Sequence, residues 1–137
     1  MGRLLLADSL QQGHEDGGIA IADTHGDHED LVLPDGDVLV HAGDTVWDGD
    51  LAGLRSFAEW FRSQPHTHKI LVSGNHDRCL AYQPDEAIAL LEPDVHYLQG
   101  QEVTIDGLLF WGSLLTTACF CCHEALPWRR NGNGSQK

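Results

Sequence analysis

The chain has 137 residues, 42% of them hydrophobic, and a net charge of −13 at pH 7. That is the length of one ordinary domain with enough apolar content for a core, and no apolar run approaches the ~18 residues that span a bilayer. Eight Lys and Arg, adjacent only at Arg129-Arg130, face 21 Asp and Glu, which excludes a basic surface for gripping a nucleic-acid backbone.

Taken in chain order, residues 1–17 read as an irregular lead-in, with "RLLLAD" as a short strand candidate. The apolar segment there is too short for a signal peptide, and Leu6 stands where a myristoylation signal needs Ser or Thr. The chain is therefore read as cytoplasmic. "GIAIAD" is a short apolar run ending in polar residues, the pattern of a buried strand. "LPDGD" is turn chemistry, and "DVLVHAGD" is a second strand. "DLAGLRSFAEWFRS" places Leu51, Leu54, Phe57, Ala58 and Phe61 on one helical face, with Asp50 as N-cap and Pro65 past the end. "HKILVSGNHD" is a third strand. Pro84 opens a second helix, "PDEAIALLE", which Pro93 closes. "VHYL" is a short strand, and "EVTIDGLLFWGS" reads as a hairpin turning on Asp106-Gly107. Alternating strands and helices predict parallel βαβ units in an α/β fold, with the hairpin joining them in a mixed sheet.

The first three strands all end in chemistry-bearing residues: Asp23-Thr24-His25, Gly43-Asp44, and Gly74-Asn75-His76-Asp77. In open α/β sheets, ligands gather beyond the carboxyl ends of strands, so these residues are expected to converge. Carboxylate oxygens with imidazole suit manganese, iron or zinc. A carboxylate such as Asp44 has two oxygens and can bridge two ions, and two ions about 3.5–4 Å apart can clamp a phosphoryl group. Singly, each of these residues is more commonly a cap or a turn former; three such motifs in order favour a metal site.

"DTH", "GD" and "GNHD" in this order resemble the calcineurin-like metallophosphoesterase superfamily. "DTHGDHEDLVLPDGDVLVHAGD", "PHTHKILVSGNHD" and "VTIDGLLFWGS" resemble most closely its small metallophosphoesterase-domain-containing members, over about residues 19–113. The resemblance implies a β-sandwich flanked by helices, two divalent metal ions, and hydrolysis of a small phosphoester substrate. It implies that Asp23 and His25 ligate the first metal, that Asp44 bridges, and that Asn75 ligates the second. His76 would stand over the leaving-group oxygen as a general acid. Asp77 or Asp48 is a candidate to orient His76, although each reads more simply as a helix cap or a solvated loop acid. Asp27 and His28 are read as loop chemistry, His41 as a packed histidine, and His66 and His68 as surface residues.

The sequence departs from the family pattern downstream. The family supplies further metal ligands from a later histidine and a Gly-His-x-His motif, neither of which this sequence contains. The expectation is a partial metallophosphoesterase domain over 18–116 and a disordered tail over 117–137, with sheet edges and an apolar face left uncovered. The alternative is a catalytically inactive remnant binding at most one metal or a partner. A third reading is a small zinc module organised by Cys119, Cys121, Cys122 and His123, although "CFCCH" lacks the paired spacing of a structural zinc site. Four cysteines in such a chain do not argue for disulfides.

Overall fold

The computed structural model describes residues 17–113. The strand expected in "RLLLAD", the cluster at 119–123 and the tail over 117–137 lie outside them. Four strands, β1 (Gly18–Ile21), β2 (Val38–His41), β3 (His68–Leu71) and β4 (His96–Tyr97), form one parallel sheet in the order β1-β2-β3-β4. Parallel neighbours need crossovers. Helix α1 (Leu51–Ser63) joins β2 to β3, while α2 (Arg78–Tyr82) and α3 (Pro84–Leu91) join β3 to β4. Helix α1 begins where the sequence predicts, with the Asp50 side chain accepting from the Gly53 N–H at 2.7 Å.

The helices cover one face of the sheet. Leu54, Phe57, Ala58 and Phe61 of α1 pack with Ala87 and Leu91 of α3 against Ile21, Leu39 and Leu71. Phe57 and Phe61 are fully buried and stack at 5.0 Å between ring centres.

Strands β2 and β3 carry apolar residues on both sides, Leu39 and Leu71 toward the helices and Val38, Val40 and Ile70 on the other, so the opposite face also needs cover. Antiparallel strands β5 (Glu102–Ile105) and β6 (Leu108–Trp111) supply it. Their inward residues Val103, Ile105 and Phe110 pack with Leu98 against Val38, Val40, Ile70 and Val72. The turn between them has φ of 50° at Asp106 and 81° at Gly107, the left-handed pair that a two-residue hairpin requires. The hairpin thus forms a second sheet and does not extend the first, which corrects the expectation of a single mixed sheet. The layering is helices, parallel sheet, hairpin: an α/β sandwich with one sheet of only two strands among the described residues.

Two short elements have no sequence signal of their own. A single 3-10 turn occupies His28–Asp30, and α2 follows directly on the "GNHD" segment. No helix among the described residues is long and apolar enough to cross a membrane.

Candidate metal centre

The loops after β1, β2 and β3 meet at one end of the parallel sheet. Beyond the last paired residues, the chain after β1 continues alongside the chain after β2. Asp23 N–H donates to the Gly43 carbonyl at 3.0 Å, His25 N–H to Asp44 at 3.1 Å, and Gly26 N–H to Thr45 at 2.9 Å. These bonds fix the two loops in register, so the side chains of Asp23, His25 and Asp44 converge. One donor atom from each lies within 4.8 Å of the others.

The third loop is pressed against the second. Gly43 has φ +102°, and a Cβ there would stand 2.6 Å from the Gly74 nitrogen. Gly74 in turn leaves no room for a side chain beside the Asp44 carboxylate. Glycine at both positions is therefore a steric requirement.

Asp77 ties the two loops together. It is 2% exposed. Its Oδ2 accepts from Asp44 N–H and Gly74 N–H, each at 2.8 Å. Its Oδ1 accepts from the Thr45 N–H at 2.8 Å and the Thr45 hydroxyl at 2.6 Å. Asp77 occupies the N-cap position of α2 yet makes no side-chain cap bond. It is neither solvated nor a helix cap, which corrects the sequence expectation, and its carboxylate bonds are directed to the loops. Asp44 is linked to the same loop from the other side, its Oδ1 accepting the His76 N–H at 2.8 Å. Asn75 sits half-buried in the turn between these anchored neighbours.

Three of the converging residues hold a backbone that side chains rarely adopt: φ is 55° at Asp23, 46° at His25 and 57° at Asp44. Left-handed backbone at non-glycine residues is unfavourable and gathers at functional sites. Asp23 is open to solvent, whereas His25 and Asp44 are half-buried. Burial raises the Asp44 carboxyl above its ordinary range; the His76 N–H pulls it back, and Asp77 adds to the rise. The His25 Nε2 lies 3.7 Å from Asp23 Oδ1, and its Nδ1 is buried with no hydrogen-bond partner among the described residues.

Trp47, which sequence reading passed over, completes this end of the molecule. Its ring lies flat on His76, with centroids 5.3 Å apart and planes 12° from parallel, and edge-on to His25 at 4.9 Å. His25 and His76 also meet edge-to-face at 5.1 Å. The only sequence hint was an aromatic residue in a polar loop, outside any core periodicity. Beside it, a depression lined by His25, His28, Val46, Trp47, Asp48 and Ser56 opens along the start of α1.

The other histidines divide differently. His41 is packed as expected, fully buried against Phe57 at 4.9 Å. Gly43 N–H donates to its Nδ1 at 3.2 Å, so the proton sits on Nε2, which donates to Thr24 Oγ1 at 3.0 Å; the Thr24 hydroxyl passes on to the Thr45 carbonyl at 3.1 Å. Burial holds its pKa down at about 3. His28 is no loop residue in the solvated sense: it is 2% exposed and wedged between Phe57 and Trp60. His66 also contradicts the surface expectation, being 2% exposed with Nε2 donating to the Pro34 carbonyl at 3.0 Å. His68 is half-buried. In each case the deciding neighbour is distant in sequence.

The sequence profile of the calcineurin-like phosphoesterase family matches residues 19–135. A UPF0046 protein of Caenorhabditis elegans is 36% identical over 110 residues, covering 69% of this chain and 37% of its own length. Metallophosphoesterase domain-containing protein 1 of Homo sapiens is 29% identical over 119 residues, covering 69% of this chain and 36% of its own length. The chain thus spans a little over a third of the length of these relatives. With loops that bring Asp23, His25 and Asp44 together at one sheet end, and with a profile match over most of its length, the chain belongs to the calcineurin-like phosphoesterase family.

Proposed function

We propose that the chain is a metal-dependent phosphoric ester hydrolase acting through Asp23, His25, Asp44, Asn75 and His76. The observation that carries this reading is the convergence of Asp23, His25 and Asp44, all on left-handed backbone, within 4.8 Å. A group of this kind fits divalent metal. The donor set is oxygen and imidazole, and His25 Nδ1 has no hydrogen-bond partner among the described residues. Asp23 and His25 would hold one ion, Asn75 a second, and Asp44 would share its two oxygens between them. Bound divalent ions supply Lewis-acid stabilisation of a phosphoryl group and lower the pKa of a water.

The protein's own contribution is arrangement. The His76 N–H to Asp44 orients the carboxylate, and Asp77 keeps the Asp44 and Gly74 backbones together. The His76 ring, held flat by Trp47, is the group that gives a proton to the departing oxygen. Manganese, zinc and iron are the ions this donor set favours.

The test is turnover of bis-p-nitrophenyl phosphate and p-nitrophenyl phosphate by the purified chain with added manganese. Metal-dependent turnover is expected to fall about 100-fold or more in His76→Ala, the typical scale for losing a general acid, and to vanish in Asp44→Asn. Stoichiometric metal with no turnover above a metal blank replaces the hydrolase reading with that of a metal-binding module. Zinc lost in Cys121→Ser but retained in Asp23→Asn moves the metal to the cysteine cluster.

A further inference from the structure

We infer that Trp47 is a specificity-determining residue, the wall of a subsite that takes an uncharged or cationic flat aromatic arm of the phosphoester. This inference rests on the proposed phosphoester reading for the location of the phosphoryl group, and it goes further in assigning the class of the attached arm.

Three observations carry it. First, Trp47 is 63% exposed although one side of its indole lies against His76. The exposed part of the indole forgoes the hydrophobic gain that cover on that side would give, and a ligand ring stacked there would supply it. The other side is thereby available to a stacking partner, and aromatic pairs prefer such offset contacts. Second, Trp47 lies against both histidines of the metal end, with ring centres at 4.9 Å and 5.3 Å, so a group stacked on its free face is one ring away from His76, within reach of an arm attached to the phosphoryl group. Third, the adjoining depression has a definite chemistry. Among the described residues, its lining includes Asp48 and Asp50 and no Lys or Arg, and His28, 2% exposed, contributes a ring whose Nδ1 has no hydrogen-bond partner. Burial holds the His28 pKa below its ordinary value, so the ring brings no compensating positive charge. An arm bearing a second phosphate or a carboxylate would meet two like-charged carboxylates at the wall. A neutral or cationic aromatic arm meets an indole face and complementary acids.

The loop geometry supports a fixed wall. Gly49 has φ +68°, and a Cβ there would stand 2.7 Å from the Arg78 nitrogen, so the chain just after Trp47 is pressed against the start of α2. The Gly49 carbonyl accepts the Cys79 N–H at 2.8 Å. Trp47 is held from behind by the loop that carries His76.

The experiment compares binding of three non-hydrolysable probes to the full chain with added zinc: phenylphosphonate, methylphosphonate and 4-phosphonobenzoate. Calorimetry gives affinities for the wild type, Trp47→Leu and Trp47→Phe, and circular dichroism verifies folding. The wild type is expected to bind phenylphosphonate about 3- to 10-fold more tightly than methylphosphonate, the scale of one aromatic stack, and to bind 4-phosphonobenzoate more weakly than phenylphosphonate. Trp47→Leu should abolish the phenyl preference while leaving methylphosphonate affinity within about twofold, and Trp47→Phe should restore most of it. Because Trp47 also lies against His76, any fall in kcat in Trp47→Leu should be shared by phenyl and methyl phosphate, whereas the rise in KM should be confined to phenyl phosphate.

An equal phenyl preference in wild type and Trp47→Leu overturns the inference. So does equal loss of both ligands in Trp47→Leu, which marks a purely structural indole, and so does unimpaired binding of the carboxylated probe. The two readings fail separately. Aryl-selective binding without any turnover removes the hydrolase and keeps the subsite, whereas turnover without arm selectivity keeps the hydrolase and removes the subsite. If the wild type binds none of the three probes, both fall.

Discussion

At the scale of single residues, Asp77 decides more of this site than any candidate ligand does. It sits in the segment that supplies Asn75 and His76, yet its carboxylate is spent on the backbone of the neighbouring loop. Removing it leaves the N–H groups of buried Thr45 and half-buried Asp44 and Gly74 without this acceptor, each fully buried unsatisfied donor costing roughly 1–3 kcal/mol and the half-buried ones less. Asp77→Ala is expected to lose about 3 kcal/mol or more, read by urea unfolding, and to weaken zinc affinity measured by calorimetry because Asp44 is no longer anchored. Asp77→Asn keeps one acceptor oxygen and should fall between. If Asp77→Ala matches the wild type in both measurements, the loops are held by something else. The residue was legible in the sequence only as part of "GNHD"; its position before a helix suggested a cap, because local spacing cannot show an acceptor for groups more than 30 residues away.

At the scale of elements, the strands position the loops and the loops build the site. Each parallel strand delivers its chain to the same end of the sheet, and close glycine contacts then set the spacing. Gly43→Ala tests this. The substitution meets both a φ of +102° and a Cβ 2.6 Å from the Gly74 nitrogen. It is expected to cost well over the ~1 kcal/mol of an unfavourable backbone conformation alone and to lower metal affinity. Gly107→Ala is the control: φ is +81°, but none of the described residues lies within 4 Å of the added carbon, so stability should fall modestly and metal affinity should not change. Equal effects at the two positions would mean that loop contact is unimportant. Element identity and order were readable here, from Asp50 at the start of α1 to Asp106-Gly107 in the hairpin. The partner of the hairpin was not, since alternation in β5 and β6 shows a buried face without saying which surface buries it.

For the molecule as a whole, the buried histidines couple stability to pH. His41 has an ordinary pKa of 6.5 and is held at about 3 in the folded state by burial. As pH falls below 6.5 the unfolded chain takes up a proton that the folded chain refuses. The stabilisation is therefore complete above about pH 6.5 and is lost progressively as pH falls toward 3, at up to about 1.4 kcal/mol per pH unit. His28, also lowered by burial, acts in the same direction. Asp44 acts oppositely in its own range, because a raised carboxyl pKa makes the folded chain the better proton acceptor. Urea unfolding of metal-free protein between pH 7 and 4.5 should show this slope, and His41→Gln should flatten it by close to one proton. An unchanged slope in His41→Gln would assign the acid sensitivity elsewhere. The same buried face explains the fold: His41 stands among Phe57 and Phe61, at the centre of the helix-covered side.

The sequence by itself determined the order of the elements, the α/β class, the family resemblance and the identity of Asp23, His25, Asp44, Asn75 and His76 as candidates. These follow from periodicity, turn chemistry and short motifs, all of which are local. Tertiary structure decided which histidines are buried, that Asp77 ties two loops, that the hairpin covers the open face of the sheet, and that Trp47 stacks on His76. These depend on contacts between segments far apart in the chain, where the energy of a residue is set by neighbours that its own stretch of sequence does not contain.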